Sequence, residues 1–79
     1  MTQEHEEINT WIERYSEPLL NRALSTMRNK EDAMDVVQEV FIAAAAAYHT
    51  FEGKSTPLTW LLHILKNKTA DFYRDKYRK

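Results

Sequence analysis

A chain of 79 residues supports one modest hydrophobic core and leaves no room for a second domain. An apolar content of 43% suits a folded globule, and one glycine with two prolines leaves little turn-forming material, so helices are expected throughout. The absence of cysteine excludes disulfides and thiolate metal sites, and a formal net charge of −1 gives no overall pull toward nucleic acid.

The acidic N-terminus has no apolar run, so it does not read as a signal peptide. No stretch approaches the ~20 apolar residues of a membrane span, and a soluble, cytoplasmic protein without membrane insertion is expected. Residues 3–15 are helical in composition, with Ile8, Trp11, Ile12 and Tyr15 at spacings of three and four. Ser16, Glu17 and Pro18 then read as a fresh helix start, since serine caps free N–H groups and proline is tolerated in a first turn. A second helix is predicted over 17–28, with Leu19, Leu20, Ala23, Leu24 and Met27 as its apolar stripe. The two segments either stand apart or join as one kinked helix.

Asn29 is the next cap, with Asp32 placed to meet the helix dipole, and predicts a third helix over 30–51. At 100° per residue Ala33, Val36, Val37, Val40, Ala44, Ala47, Tyr48 and Phe51 share one narrow core stripe. Asp35, Gln38, Glu39, Ile42, Ala46 and His49 occupy the opposite face. Ile42 is a large aliphatic among polar neighbours. It is either an ordinary exposed apolar residue or the centre of a partner footprint.

The only glycine lies in residues 52–55, where the helix should end and the chain turn. Thr56 and Pro57 then read as cap and first residue of a last helix over 57–76, with Leu58, Leu61, Leu62, Leu65, Thr69 and Phe72 inward. Trp60, His63, Asn67, Asp71, Arg74 and Arg78 project from the far side. The indole of Trp60 is either covered by the loop or an earlier helix, or free to contact a base. The expected architecture is all-α, a compact bundle of three to four helices.

Charge is unevenly spread. Residues 1–52 hold 4 basic and 10 acidic side chains, whereas residues 53–79 hold 7 basic and 2 acidic. Such halves suit two partners of opposite electrostatic taste, the basic half a phosphate backbone, or serve only solubility. The histidines, His5, His49 and His63, are too dispersed for a ligand motif, and no metal site is expected.

Three motifs in order carry a family resemblance. The third helix reads Ala33-Met34-Asp35-Val36-Val37-Gln38-Glu39-Val40-Phe41-Ile42. Tyr48-His49-Thr50-Phe51-Glu52-Gly53-Lys54-Ser55 follows, and then Thr59-Trp60-Leu61-Leu62. Lys66-Asn67, Asp71 and Tyr73-Arg74 complete the series. Together these resemble conserved region 2 of the extracytoplasmic-function (ECF) sigma factors of the sigma-70 family, with its Gln-Glu helix, Phe-x-Gly-x-Ser loop and Thr-Trp-Leu helix start. The likeness runs from about Ile8 to the end of the chain.

The resemblance implies a region 2 domain spanning residues 1–79, without the helix-turn-helix domain that reads the minus-thirty-five element, and inefficient at initiating transcription alone. It implies docking on the β′ clamp helices of core RNA polymerase through Asp35, Gln38, Glu39 and Ile42, with Phe41 nearer the core. It further implies recognition and melting of the promoter minus-ten element, the non-template strand meeting Gly53, Lys54, Ser55, Trp60, His63, Lys66, Asn67 and Arg74. In such a site a base is unstacked into a pocket, an amide such as that of Asn67 reads a base edge, and Lys66, Lys68, Arg74, Arg78 and Lys79 hold phosphates. An anti-sigma factor is a further partner the family makes plausible, and the surface around Ile42 its target. No cofactor and no enzymatic step are implied. Residues 43–47 depart from the family, which commonly places a basic residue and an aromatic there. The rival reading is a helical protein-interaction module whose acidic face docks on a basic partner and which reads no DNA sequence.

Overall fold

The burial pattern of residues 7–27 decides the architecture against the local punctuation. A computed structural model describes residues 3–77, with side chains from residue 7 onward. In it α1 is a single helix, Gln3–Thr26, followed by α2, Lys30–Ala47, a 3-10 turn, Tyr48–Thr50, and α3, Pro57–Tyr77. No strand occurs among the described residues.

Of the two readings of this stretch the joined helix holds, and the separate helix start at Ser16 is corrected. Pro18 lies inside α1, and the Ser16 hydroxyl donates back to the Ile12 carbonyl at 2.5 Å instead of capping a new helix. An interior proline forfeits one backbone hydrogen bond and crowds the preceding turn. What overrides it is burial on both sides: Ile8 and Trp11 before the proline, and Leu19, Ala23 and Met27 after it, are all in the core. That stripe keeps helical phase through residues 15–18, so breaking the helix would turn one half of it outward.

The other boundaries follow their caps. Asn29 has extended backbone angles, and its side-chain oxygen accepts from the Asp32 N–H at 3.0 Å. Thr56 does the same for α3, its hydroxyl accepting from the Thr59 N–H at 3.2 Å while Pro57 takes the first helical position. The helix expected over 30–51 ends earlier, at Ala47, where the chain tightens into the 3-10 turn. There the Thr50 hydroxyl donates to the Ala47 carbonyl at 2.7 Å, taking up one of the free helix-end acceptors.

α2 is the central helix, packed against both α1 and α3, while α1 and α3 touch one another less. Ala33, Val40 and Ala44 are fully buried on α2, opposite Leu19 and Leu61 of its neighbours, also fully buried. Alanine at such contacts lets helix axes approach closely. Each fully buried leucine or methionine contributes about 1.5–3 kcal/mol. No polar or charged side chain is buried among the described residues, so apolar packing and the caps at the helix ends hold the bundle together.

Candidate functional site

Four aromatic rings close one end of the bundle and carry the loop between α2 and α3. The Trp11 ring lies 5.3 Å from Tyr48, 5.3 Å from Phe51 and 6.0 Å from Trp60, centroid to centroid. Phe51 and Trp60 are 5.1 Å apart. The indole of Trp60 is thus half-buried against an earlier helix and the loop's own phenylalanine, the covered arrangement of the two considered. These rings form a platform beneath residues 52–56, all of which are exposed.

The turn itself depends on Gly53, whose φ of +73° is the left-handed conformation that side chains with a Cβ adopt at a cost. A Cβ built there would meet nothing within 4 Å, so the loop opens to solvent. Lys54 reaches back to Glu52, Nζ to Oε1 3.1 Å, with both side chains largely exposed. The Ser55 hydroxyl donates weakly to the Thr56 carbonyl at 3.4 Å and remains exposed.

From the loop, Trp60, His63, Asn67 and Arg74 recur at spacings that place them along one side of α3. His63, Asn67 and Arg74 are exposed. Arg74 is engaged by Asp71 on the same helix at 2.6 Å, an exposed ion pair of the kind that contributes little to stability and is readily exchanged. Pro57 and Asn67 are ten residues apart, which on an α-helix is about 15 Å. Arg78 and Lys79, expected to hold phosphates, lie outside the described residues.

The two flanks of α3 differ in chemistry. On the α1 side a groove of about 510 Å³ is lined by Arg22, Thr26, Thr59, His63, Lys66 and Thr69 among others, and by no carboxylate. On the α2 side a groove of about 380 Å³ is lined by Asp35, Glu39, Asp71 and Asp75, with Lys68 the only cation. Charge is therefore sorted across α3 and not by halves of the chain. Arg22 comes from the acidic half and joins the basic groove, while Asp71 and Asp75 come from the basic half and join the acidic one. Sequence reasoning passed over Arg22 because only tertiary packing brings it to α3.

The outer face of α2 holds Asp35, Gln38, Glu39 and Ile42, all exposed, with Ile42 63% accessible. Phe41 is buried at 8%. Met34, 48% accessible and one turn before Gln38, adds a second apolar residue that the sequence reading had not placed on this face. Its spacing of four from Gln38 and eight from Ile42 was the available signal. Among the described residues no group of three or more His, Asp or Glu side chains could hold a metal ion. No helix among them is long and apolar enough to cross a membrane.

Comparison with known proteins finds that the family described as Sigma-70 region 2 matches residues 11–79. The ECF RNA polymerase sigma factor SigX of Bacillus subtilis (strain 168) is 37% identical over 60 residues, 76% of this chain and 31% of the relative. The RNA polymerase sigma factor HrpL of Pseudomonas syringae pv. syringae is 36% identical over 66% of this chain and 28% of its own length. A probable RNA polymerase sigma factor of Haemophilus influenzae is 44% identical over 58% of this chain and 24% of the relative. The chain thus spans about a third or less of the relatives it matches. No solved structure matches significantly.

Proposed function

The chain belongs to the Sigma-70 region 2 family, and from that premise we propose that it serves transcription initiation in the bacterial cytoplasm by docking on the β′ clamp helices of core RNA polymerase and capturing an unstacked stretch of the promoter minus-ten element. The observation that carries this reading is the open turn at Gly53 leading into an exposed line of polar side chains on α3, set apart from the acidic and apolar outer face of α2.

The geometry supports a division of labour. The loop offers an approachable backbone at Gly53, the ammonium of Lys54 and the hydroxyl of Ser55. Asn67 offers both donor and acceptor to a base edge. Because the start of α3 and Asn67 are about 15 Å apart along the axis, the loop and the asparagine engage different nucleotides of one strand. Unstacking costs a few kcal/mol per base, which hydrogen bonds and phosphate contacts from Lys66 and Arg74 must offset. Trp60 acts beneath this surface, holding the loop in place through Phe51 and Trp11. Met34, Gln38 and Ile42 form the ridge that meets the polymerase, flanked by Asp35 and Glu39 as acceptors for basic groups. An anti-sigma factor would compete for that ridge.

The rival reading, a protein-interaction module without sequence reading, is favoured by one observation: Lys54 and Arg74 are each already paired with a carboxylate of the chain. Selection from a short randomised single-stranded DNA pool separates the two. Enrichment of a common motif, bound more tightly than its scrambled version at every salt concentration, is the expected result. A pool that stays random, with binding governed by salt alone, leaves only the interaction module.

A further inference from the structure

The α3 wall of the groove between α1 and α3 draws on the family motifs through Thr59, Leu62 and Lys66, but its α1 wall does not, and the groove is cationic. Its walls bring Arg22 of α1 to Lys66 and His63 of α3, with the hydroxyls of Thr26, Thr59 and Thr69 between them. No Asp or Glu lines it, in a chain with 12 acidic residues and on a helix whose opposite flank gathers four of them. Arg22 and Lys66 are exposed, and neither has an ion pair among the described residues. The floor is apolar, from Ala23, Leu62 and Leu65.

We propose that this groove is a phosphate cradle for single-stranded DNA, with Arg22 as a positioning residue on α1 that clamps the strand's backbone as it leaves the α3 face. The occupant rests on the single-strand reading above. The arrangement supplies what a phosphodiester needs: a planar guanidinium able to make two parallel hydrogen bonds, an ammonium on the facing wall, and neutral hydroxyl donors. His63 and Lys66 belong both to this groove and to the outward side of α3, so the strand path continues from Asn67 over α3 to α1. Phosphate contacts fix register and affinity while carrying no sequence information. Arg22 therefore supports base reading from a helix that reads no base.

The test uses a fluorescent oligothymidine strand, titrated with the full chain at several salt concentrations. Arg22→Gln should weaken binding roughly threefold at low salt and lower the slope of log affinity against log salt by about 0.7, the value for one phosphate contact on a single strand. Arg14→Gln removes the same charge from an exposed α1 position outside the groove and should leave that slope unchanged. Arg22→Lys, which keeps the charge, should keep the slope, and circular dichroism should show all three variants as helical as the parent. Equal losses for Arg22→Gln and Arg14→Gln, or no loss for either, overturn the cradle. On the selected strand, Arg22→Gln should reduce binding to motif and scrambled versions by the same factor. An Arg22 effect in a parent without sequence preference removes the base-reading proposal and keeps this one. A sequence preference that Arg22→Gln leaves at full affinity does the reverse.

Discussion

Trp11 and Phe51 meet edge to face, their ring centroids 5.3 Å apart and their planes at 85°. The contact joins the first half of α1 to the segment that leads into the Gly53 turn, forty positions away in sequence. Trp11 is 4% exposed and also touches Tyr48 and Trp60, so its removal takes the centre out of the cluster. Trp11→Ala should cost about 3–5 kcal/mol, a large share of what a small domain has. Urea denaturation monitored by circular dichroism reads the loss. A cost below about 1 kcal/mol would mean that the rings are collected at this end without supporting it.

Gly53 isolates the conformational requirement of the turn from any steric one. Nothing lies within 4 Å of the position a Cβ would take, so Gly53→Ala introduces no clash. Its cost is that of holding an L-residue at positive φ, about 1–2 kcal/mol, if the turn keeps its shape. Relaxation into another turn is the alternative. In that case the denaturation midpoint barely moves while affinity for the selected strand drops. An unchanged midpoint together with unchanged affinity would show that the shape of the loop is immaterial.

Glu52 holds the ammonium of Lys54 at 3.1 Å on an open surface. Releasing Lys54 by Glu52→Gln removes both the competing partner and a negative charge beside the strand path. Binding to single-stranded DNA should tighten by roughly twofold to fivefold at low salt and converge on the parent at high salt, where surface electrostatics are screened. Weaker binding at low salt would place the strand away from this loop.

The two proposed faces should fail independently. Asn67→Ala should abolish preference for the selected motif while leaving core polymerase pull-down intact. Ile42→Asp, together with Gln38→Ala, should abolish the pull-down and spare strand binding, since both residues are exposed and outside the core. Interface substitutions at such anchors typically cost 2 kcal/mol or more, roughly a thirtyfold loss. Retention of polymerase by the double variant would assign docking to another surface.

The helices from Asn29 onward were legible because their starts are written locally: an Asn29 cap bonded to the Asp32 N–H, and a Thr56 hydroxyl bonded to the Thr59 N–H with proline after it. The core stripes of α2 and α3 followed from periodicity, as the burial of Ala33, Val36, Val40, Ala44, Leu61 and Leu65 shows. The first helix admits two readings, two separate segments or one joined helix, for the opposite reason. Ser16 and Pro18 carry a strong local signal, but Trp11 and Leu19 must face the same core, and tertiary packing prevailed over it. Candidate residues on one helix, such as Gln38 and Ile42, were found by counting. Those assembled across helices were not: Arg22 reaches the α3 flank, and Asp71 and Asp75 join Asp35 and Glu39, only through the packing of the three helices, in which α2 contacts both neighbours and these touch each other less.

That inequality has a thermodynamic consequence. α1 and α3 are the helices that pack against each other least, and the groove with Arg22 and Lys66 runs along their seam. A polyanion gripped by both walls would act as a cross-brace between these two helices, so occupancy and folding would be linked. A ligand present at a hundred times its dissociation constant would add about 2.7 kcal/mol to the unfolding free energy. The melting temperature should accordingly climb with oligonucleotide concentration, and the seam's amides should be the ones whose exchange slows.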